Sequence, residues 1–391
     1  MRRASLRLNA RVFSVFLVVG LLMLVAASYF VIGIGQADLR KAWGDQLRQV
    51  ADQTAAAVDT YVFRLVIDAS VLSHVPEVRV AAAAGSQRPF DQAAATAVDR
   101  AWQRAGEVPP EKQEVLASRV SAFLADTTRQ NPIYKELVLT DRYGRVVAAS
   151  GPTDGYLMGD MPWWKETFGD GSAGHLAVSD VRFDPQTRTF DMGITAPVDD
   201  ETGGQLIGLL RTVVNVREMG AILGGVRLGS TGEATLVRPD GSVVFAPGSV
   251  DPNARFFAAD LLRERLAALK GQPERPIQFG ARAPGRTPRL VGVAFSQLKA
   301  SFPHLDWAVA VSQDEDELFR PVQSQRSALL VVIGLTALAV LLFALWYSVC
   351  LSAPPEPEEM DMHLVRHPRL HRVAESEEEA ATEEPKESAQ P

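Results

Sequence analysis

Two residue patterns in this chain have the types and spacing that enzymes use. Ser296 and Lys299 have the Ser-x-x-Lys spacing of some acyl-enzyme serines, but no partner motif accompanies them and a pattern that fixes two positions in four is common by chance. The histidines His74, His175 and His304 lack the spacing of metal ligands. The sequence therefore indicates no catalytic, metal or cofactor site, and we expect the protein not to be an enzyme.

The charge of the chain is concentrated at one end. Residues 352–391 contain eleven acidic and four basic residues, which accounts for the whole formal net charge of −7. Pro354, Pro355 and Pro357 stop a helix at the start of this segment, and its acidic, aromatic-poor composition is typical of disorder. No broad basic face remains elsewhere, so we expect no nucleic-acid partner.

Two uncharged apolar stretches enclose about three-quarters of the chain, at residues 12–35 and 327–351. Each exceeds the roughly 20 residues that a helix needs to cross a bilayer. Four arginines and no acid precede the first stretch, which indicates a cytoplasmic N-terminus. A cleaved signal peptide is the alternative for the first stretch, although its apolar run is long for one. We therefore predict a two-pass inner-membrane protein with both termini cytoplasmic and membrane lipid around its spans.

Between the stretches, periodicity predicts helices followed by strands. Apolar residues recur every three or four positions from Leu39 to Leu65, which predicts one long amphipathic helix over 38–73. Further helices are expected over 90–105 and 111–128. Strands are expected near 190–198, 205–214, 289–295 and 307–313, and Asn215 and Glu218 fit a capping box at the start of a short helix between them.

An internal repeat organises the strand-rich part. Residues 136–151 and 233–248 share seven of sixteen positions at a constant offset of 97 residues. Both read as strand–turn–strand units with a glycine in the turn, at Gly144 and Gly241. Two related α+β modules in tandem explain this pattern, and chance similarity of two hairpins is the alternative.

This predicted order of elements resembles the double Cache (PAS-like) sensor domain of bacterial chemoreceptors and histidine kinases. In both, a long helix follows one span, two small sheet modules come next, and the chain returns to a second span. The resemblance extends over about residues 36–326 and is clearest at 137–151, 156–164, 194–223 and 229–245. It implies an α+β fold in which the modules have antiparallel sheets. It also implies an extracytoplasmic ligand sensor, a parallel homodimer, and a ligand in the membrane-distal module.

In the amino-acid-binding members of that family, the site contains a tyrosine, an arginine, an aromatic pair and two aspartates. Here Tyr156 and Trp163 match the tyrosine and tryptophan. Trp164 replaces the second aromatic residue, and Asp184 matches the first aspartate. The two strongest charged contacts are lost, because other residues stand at those positions: Met161 for the arginine and Val213 for the second aspartate. The resemblance therefore disfavours a standard amino acid as the ligand.

Other charged residues share faces with these positions. Arg211 lies two residues before Val213 on the same predicted strand, so both side chains face the same way, and Arg182 and Asp184 are related in the same manner. We expect Tyr156, Trp163 and Trp164 to form an aromatic wall, with Arg182, Asp184 and Arg211 as polar residues for a small ligand that carries a carboxylate or is partly apolar. In the alternative, the tryptophans fill the core and the charges face water.

The function expected from these features is a membrane-anchored sensor that signals through a separate, unidentified partner protein. A membrane-anchored periplasmic scaffold that has lost its ligand is the alternative. The expected organisation is a cytoplasmic N-terminus (1–11), a first span (12–35), a helical stalk (36–130), a membrane-distal module (131–224), a membrane-proximal module (225–318), a second span (327–351) and a disordered acidic tail without an output domain (352–391).

Overall fold

The structure is a computed structural model, which describes residues 10–104, 108–169, 174–200, 202, 204–249, 251, 253–269, 276–282 and 287–350. These residues form two compact units. The larger unit, Met23–Thr336, contains every strand of the described chain. In the other unit, which comprises the described residues 10–22 and 337–350, the side chain of Val340 packs directly over Gly20.

The first helix, α1 (Ala10–Ser73), is the longest element. Its buried residues recur at three- and four-residue spacing, and they join the largest hydrophobic cluster among the described residues. They are Leu47, Ala51, Ala55, Val58, Tyr61, Val62, Leu65 and Ala69. The amphipathic helix predicted over 38–73 is therefore confirmed, and its apolar stripe faces the sheets.

Four shorter helices follow: α2 (Pro76–Gln87), α3 (Gln92–Trp102), α4 (Pro110–Leu116) and α5 (Arg119–Gln130). The helical segment predicted over 111–128 is confirmed, and it consists of the two helices α4 and α5. The Ser118 hydroxyl accepts a hydrogen bond from the backbone N–H of Ser121 and so begins a new helix at that point.

The first sheet is antiparallel and has the strand order β2-β1-β6-β5-β3, with β4 also paired to β5. Its strands are β1 (Tyr134–Asp141), β2 (Val146–Ala149), β3 (Ala177–Val178), β4 (Arg182–Asp184), β5 (Thr189–Asp199) and β6 (Leu206–Asn215). Helix α6 (Pro162–Phe168) lies between β2 and β3 in the chain. We call this part the distal module.

Helix α7 (Arg217–Gly224) leads to a second antiparallel sheet of order β8-β7-β11-β10-β9. Its strands are β7 (Glu233–Val237), β8 (Val243–Phe245), β9 (Ile277–Ala281), β10 (Arg289–Phe295) and β11 (Ala308–Asp314). Helix α8 (Ala259–Ala268), a 3₁₀ turn (Gln297–Ala300) and helix α9 (Glu315–Cys350) complete the described elements. We call the second sheet with α8 the proximal module. The α+β class with two antiparallel sheets is confirmed.

The sequence repeat corresponds to two hairpins of the same construction. The β1–β2 ladder shifts register between Leu139 and Thr140, and the β7–β8 ladder shifts between Leu236 and Val237, which are the positions 97 residues later. Both turns contain a glycine with a left-handed backbone conformation. The same local sequence therefore builds the same bulged hairpin twice.

The two modules are held together by apolar and polar contacts. Phe190 of β5 meets Phe245 of β8 edge-on, with 4.8 Å between the ring centroids. Asp180, which follows β3, forms an ion pair with Arg238 of the proximal module and accepts a hydrogen bond from the Trp307 indole at 3.2 Å. One hydrophobic cluster extends through both modules and α1. The boundaries predicted at 130, 224 and 318 stay predictions.

The predicted first span lies in α1, and the predicted second span, apart from residue 351, lies in α9. Over the described residues, no helix includes a stretch that is both long and apolar enough to cross a membrane. The two spans therefore stay a prediction from sequence. The predicted acidic tail, 352–391, lies outside the described residues, as do residues 1–9 of the predicted N-terminal segment.

Substituting the two turn glycines by alanine tests the hairpin geometry. Gly144 and Gly241 have φ of +81° and +82°, and a Cβ would lie 2.4 Å from the Gly159 nitrogen and 2.3 Å from the Ala259 Cβ, respectively. We expect Gly144→Ala and Gly241→Ala each to lower the free energy of unfolding by about 2 kcal/mol, measured by urea denaturation. Gly151→Ala is the control, because no heavy atom lies within 4 Å of its Cβ position. Equal stability of all three variants would contradict this geometry.

Candidate functional site

The distal sheet has two faces with different neighbours. Leu137, Leu139 and Leu210 point toward α1 and belong to the large cluster. Val138 and Leu209 lie on the opposite face, in a smaller cluster that includes Trp164 and is bordered by Tyr156 and Trp163. Successive side chains of a strand alternate between faces, so Arg211 lies on the same face as Leu209. This opposite face, which we call the site face, holds the predicted site residues that project from the sheet itself.

Arg211 is the central charge of the site face. It stands opposite Val138 of β1 and Thr195 of β5. Its guanidinium carbon lies 4.7 Å from the centroid of the Trp163 ring, and its terminal atoms lie over Gly193, where a Cβ would come within 3.0 Å of Nη2. Gly193 thus leaves the room that the guanidinium occupies.

The environment of Arg211 is unfavourable to its charge. Burial lowers its pKa; the nearby Glu136 carboxylate opposes this effect, and the positive charge of Arg182 adds to it. Among the described residues, the Arg211 guanidinium has neither an ion-pair nor a hydrogen-bond partner. Arg211 is partly buried, and an unpaired guanidinium in such a place is open to an anion from outside the chain.

The two tryptophans of α6 have different environments. Trp163 is half-buried and meets Arg211. Trp164 is only 8% exposed, stacks on Phe168 at 4.2 Å and donates from its indole N–H to the Thr140 hydroxyl at 3.2 Å. Adjacent residues of a helix point about 100° apart. One ring therefore lies at the site and the other fills the core behind it.

Tyr156 borders the same cluster but does not contact Arg211. Its ring tilts against Trp102 with 5.3 Å between centroids, and burial raises the pKa of its phenol. The Asp99 carboxylate accepts a hydrogen bond of 2.7 Å from its backbone N–H. These contacts fix the loop that carries Tyr156 at the edge of the site face.

Asp184 and Arg182 stand on β4, at the margin of the sheet. The Asp184 carboxylate accepts hydrogen bonds from the Lys135 ammonium at 2.7 Å and from the Thr187 hydroxyl at 2.7 Å. The hydrogen bond from Lys135 is the main reason that the pKa of Asp184 is well below its usual range. Arg182 is exposed. Of the six predicted residues, the structure brings Arg211 and Trp163 into direct contact, and Asp184 is already paired.

Sequence reasoning missed Glu136, which lies on the site face of β1. Burial raises the pKa of its carboxyl group, Arg211 acts in the opposite direction, and Asp154 raises it further. Among the described residues its carboxylate has no hydrogen-bond or ion-pair partner. The available signal was a charged residue that opens an otherwise apolar strand, ELVL, at the first position of the repeat.

The Ser-x-x-Lys pattern has a structural role. The Ser296 hydroxyl donates to the Asp59 carboxylate of α1 at 2.5 Å and accepts from the Leu298 N–H. Lys299 forms an ion pair with Asp306 at 2.7 Å. The two side chains have separate partners, so the lysine does not activate the serine. Within the described residues, no group of three His, Cys, Asp or Glu side chains could hold a metal ion.

Comparison with known proteins gives a family match over most of the chain. The sequence profile described as a Cache domain matches residues 35–322, close to the extent of the resemblance at 36–326. No curated protein matches the chain.

Several solved structures are similar. The ligand-binding domain of the Pseudomonas aeruginosa amino acid chemoreceptor PctB, in complex with L-Arg, is 16% identical, with a TM-score of 0.44 over 73% of this chain and 93% of that one. The ligand-binding domain of the Pseudomonas fluorescens chemoreceptor CtaA, in complex with L-alanine, is 16% identical, with a TM-score of 0.41 over 71% and 99%. A methyl-accepting chemotaxis protein X is 14% identical, with a TM-score of 0.47 over 70% and 98%.

The different environments of the α6 tryptophans predict different costs of truncation. Trp164→Ala removes a buried ring with its hydrogen bond, so we expect the free energy of unfolding to fall by about 3 kcal/mol. Trp163→Ala removes a half-exposed ring, and we expect less than half of that loss. Urea denaturation followed by circular dichroism measures both. Equal losses would show that both rings are core residues and that Trp163 does not line a site.

Proposed function

Since this chain belongs to the Cache domain family, we propose that its distal module senses a small ligand whose carboxylate binds Arg211 beside Trp163. The observation that carries this proposal is the partly buried and unpaired guanidinium on the site face, beside the Trp163 ring. Trp163 and Tyr156 add aromatic surface beside these polar groups, which suits a small-molecule pocket with a few directing polar groups.

Energetics favour an anion at this position. Partial burial makes the unpaired charge of Arg211 less well solvated, and hydrogen bonds to charged groups each contribute about 1.5–3 kcal/mol. A carboxylate matches the planar fork of a guanidinium with two parallel hydrogen bonds. The Trp163 ring fixes one side of the guanidinium through a cation–π contact and leaves its edge for the ligand.

The residues of this chain do not reproduce the amino-acid site of the family. Met161 stands at the arginine position of that motif and is 40% exposed. Val213 stands at the second aspartate position. Asp184, at the first aspartate position, is neutralised by its ion pair with Lys135. We therefore propose a carboxylate ligand other than one held by the family's amino-acid motif.

The membrane topology and the signalling route are parts of the same proposal. The uncharged stretches 12–35 and 327–351 would anchor the sensor in the inner membrane, with both modules on the periplasmic side. We propose a parallel homodimer that passes the signal to a separate membrane or cytoplasmic partner protein.

A second candidate function is a membrane-anchored periplasmic scaffold. It is supported by the pairing of Asp184 with Lys135 and by the packing of Trp164 in the core, since both side chains then serve the fold. The scaffold requires no ligand at Arg211, so a binding measurement separates the two functions.

Calorimetric titration of the full-length protein with a panel of small carboxylates tests the site. We expect Arg211→Gln to weaken binding at least tenfold, since about 1.4 kcal/mol corresponds to that factor. We expect Trp163→Ala to weaken it about threefold through the lost cation–π contact. Arg119→Gln, an exposed arginine of α5, is the matched control and should bind as the wild type does. Binding that is insensitive to both site substitutions would overturn the proposed site.

Protease treatment of intact spheroplasts tests the topology. We expect external protease to degrade residues 36–326 and to spare tags placed at either terminus, because the two modules lie outside the cytoplasm. A periplasmic protein and a cytoplasmic protein serve as controls. A middle region that survives while the periplasmic control is digested would contradict the two-pass arrangement.

A further inference from the structure

Glu136 and Arg211 lie on neighbouring strands and share the site face. Glu136 stands opposite Val213. Two residues later on β1, Val138 stands opposite Arg211, which is two residues before Val213 on β6. The two side chains are thus diagonal neighbours, a relation in which residues are typically about 7–8 Å apart. Neither has a hydrogen-bond or ion-pair partner within the described chain, so they act on each other through space without contact.

The other charged residues near Glu136 and Arg211 do not neutralise the charges of these two side chains. Lys135 precedes Glu136 but is held by Asp184 and Asp191 at the sheet margin. Asp154, in the loop after β2, adds a negative charge near Glu136, and Arg182 of β4 adds a positive charge near Arg211. One open carboxylate therefore faces one open guanidinium.

In the second copy of the repeat, the corresponding glutamate has an ion-pair partner. Glu233 occupies the position 97 residues after Glu136, at the start of β7, and forms an ion pair with Arg289 of β10. Arg289 is also in an ion pair with Asp314. In the proximal module this glutamate is neutralised by direct contact, whereas in the distal module it is left open beside the candidate site.

We propose that Glu136 is a specificity-determining residue of this site, and that a ligand carboxylate binds Arg211 together with one proton, which Glu136 takes up from solvent. This inference rests on the proposed function. The reason is electrostatic: the guanidinium has one positive charge, and a ligand carboxylate would be the second negative charge beside it. In a partly buried site, like charges several ångströms apart repel each other more strongly than they would in water. Protonation of a Glu136 carboxylate oxygen removes that repulsion.

The sign of the pH dependence follows. The pKa of Glu136 is already raised by burial in the free protein, and a bound anion raises it further. Affinity for a plain carboxylate therefore increases as the pH falls through the pKa of Glu136 in the complex, and levels off below its pKa in the free protein. A ligand that carries its own cation beside the carboxylate needs no proton.

Calorimetry of the full-length protein with 2-oxo carboxylates, from pyruvate to 2-oxoisocaproate, tests this inference. These acids stay ionised from pH 5 to 8, so any proton exchanged on binding belongs to the protein or the buffer. Titrations in two buffers of different ionisation enthalpy give the number of protons taken up. We expect the wild type to take up protons on binding, with the number of protons per bound ligand approaching one. We also expect binding at pH 5 to be at least about tenfold tighter than binding at pH 8.

Glu136→Gln keeps the shape of the side chain and removes its charge. We expect this variant to bind the same probes at pH 8 at least about tenfold more tightly than the wild type does, with no proton uptake and no pH dependence. Asp154→Asn is the matched control, because it removes the next nearest acid and should retain uptake. Circular dichroism checks folding, and the wild-type uptake decides the question alone if the variant does not fold.

The outcomes separate this inference from the proposed function. Suppose that Arg211→Gln weakens binding. If the wild type then takes up no proton, or if Glu136→Gln takes up as many protons as the wild type does, this inference is wrong and the proposed function stands. If Arg211→Gln binds every probe as the wild type does, or neither the wild type nor Glu136→Gln binds any probe at either pH, both are wrong.

Discussion

The burial of one face of α1 against both sheets is the interaction on which the rest of the fold depends. Its apolar stripe lies in a cluster that contains residues of both modules. At Gly292 the α1 backbone comes so close to β10 that a Cβ would lie 2.4 Å from the Arg48 nitrogen. Further along the helix, Asp59 accepts hydrogen bonds from Ser296 and from the Gln297 N–H. One helix therefore packs against both sheets, and the sheet that carries the site face is anchored to it.

The candidate site and the contact between modules share one short segment. The Ser179 hydroxyl accepts a hydrogen bond of 2.8 Å from the Gly193 N–H, directly below the Arg211 guanidinium. The next residue, Asp180, is in an ion pair with Arg238 of the proximal module. The His304 ring from the proximal module contacts the Val178 carbonyl oxygen. Ser179 therefore lies beside the site, and its two neighbours in the chain, Val178 and Asp180, contact the proximal module.

Local patterns predicted the elements well, because strand alternation and helical periodicity are properties of neighbouring residues. The strand predicted at 289–295 is confirmed residue for residue, and the repeat located both hairpins. Contacts between distant residues were not accessible in this way. The capping box predicted at Asn215 and Glu218 is wrong. The N-cap of α7 is Val216, Asn215 accepts a hydrogen bond from the Arg217 N–H, and Glu218 pairs with Arg64 of α1.

The same limit applies to the candidate site. The sequence placed Arg211 on a strand face, and the structure adds the Trp163 ring beside it. The pairing of Asp184 with Lys135 joins residues 49 positions apart and has no local signal. Glu136 carries a charge in both copies of the repeat, but only the fold shows that Glu233 has a partner and Glu136 has none within the described chain.

The most direct test of the central claim is a crystal structure of the protein with a bound 2-oxo carboxylate. This account predicts the carboxylate in two hydrogen bonds of about 2.8 Å to the Arg211 guanidinium, with Trp163 alongside. A carboxylate bound elsewhere, or Arg211 closed in an ion pair with Glu136 while the ligand is bound, would contradict it.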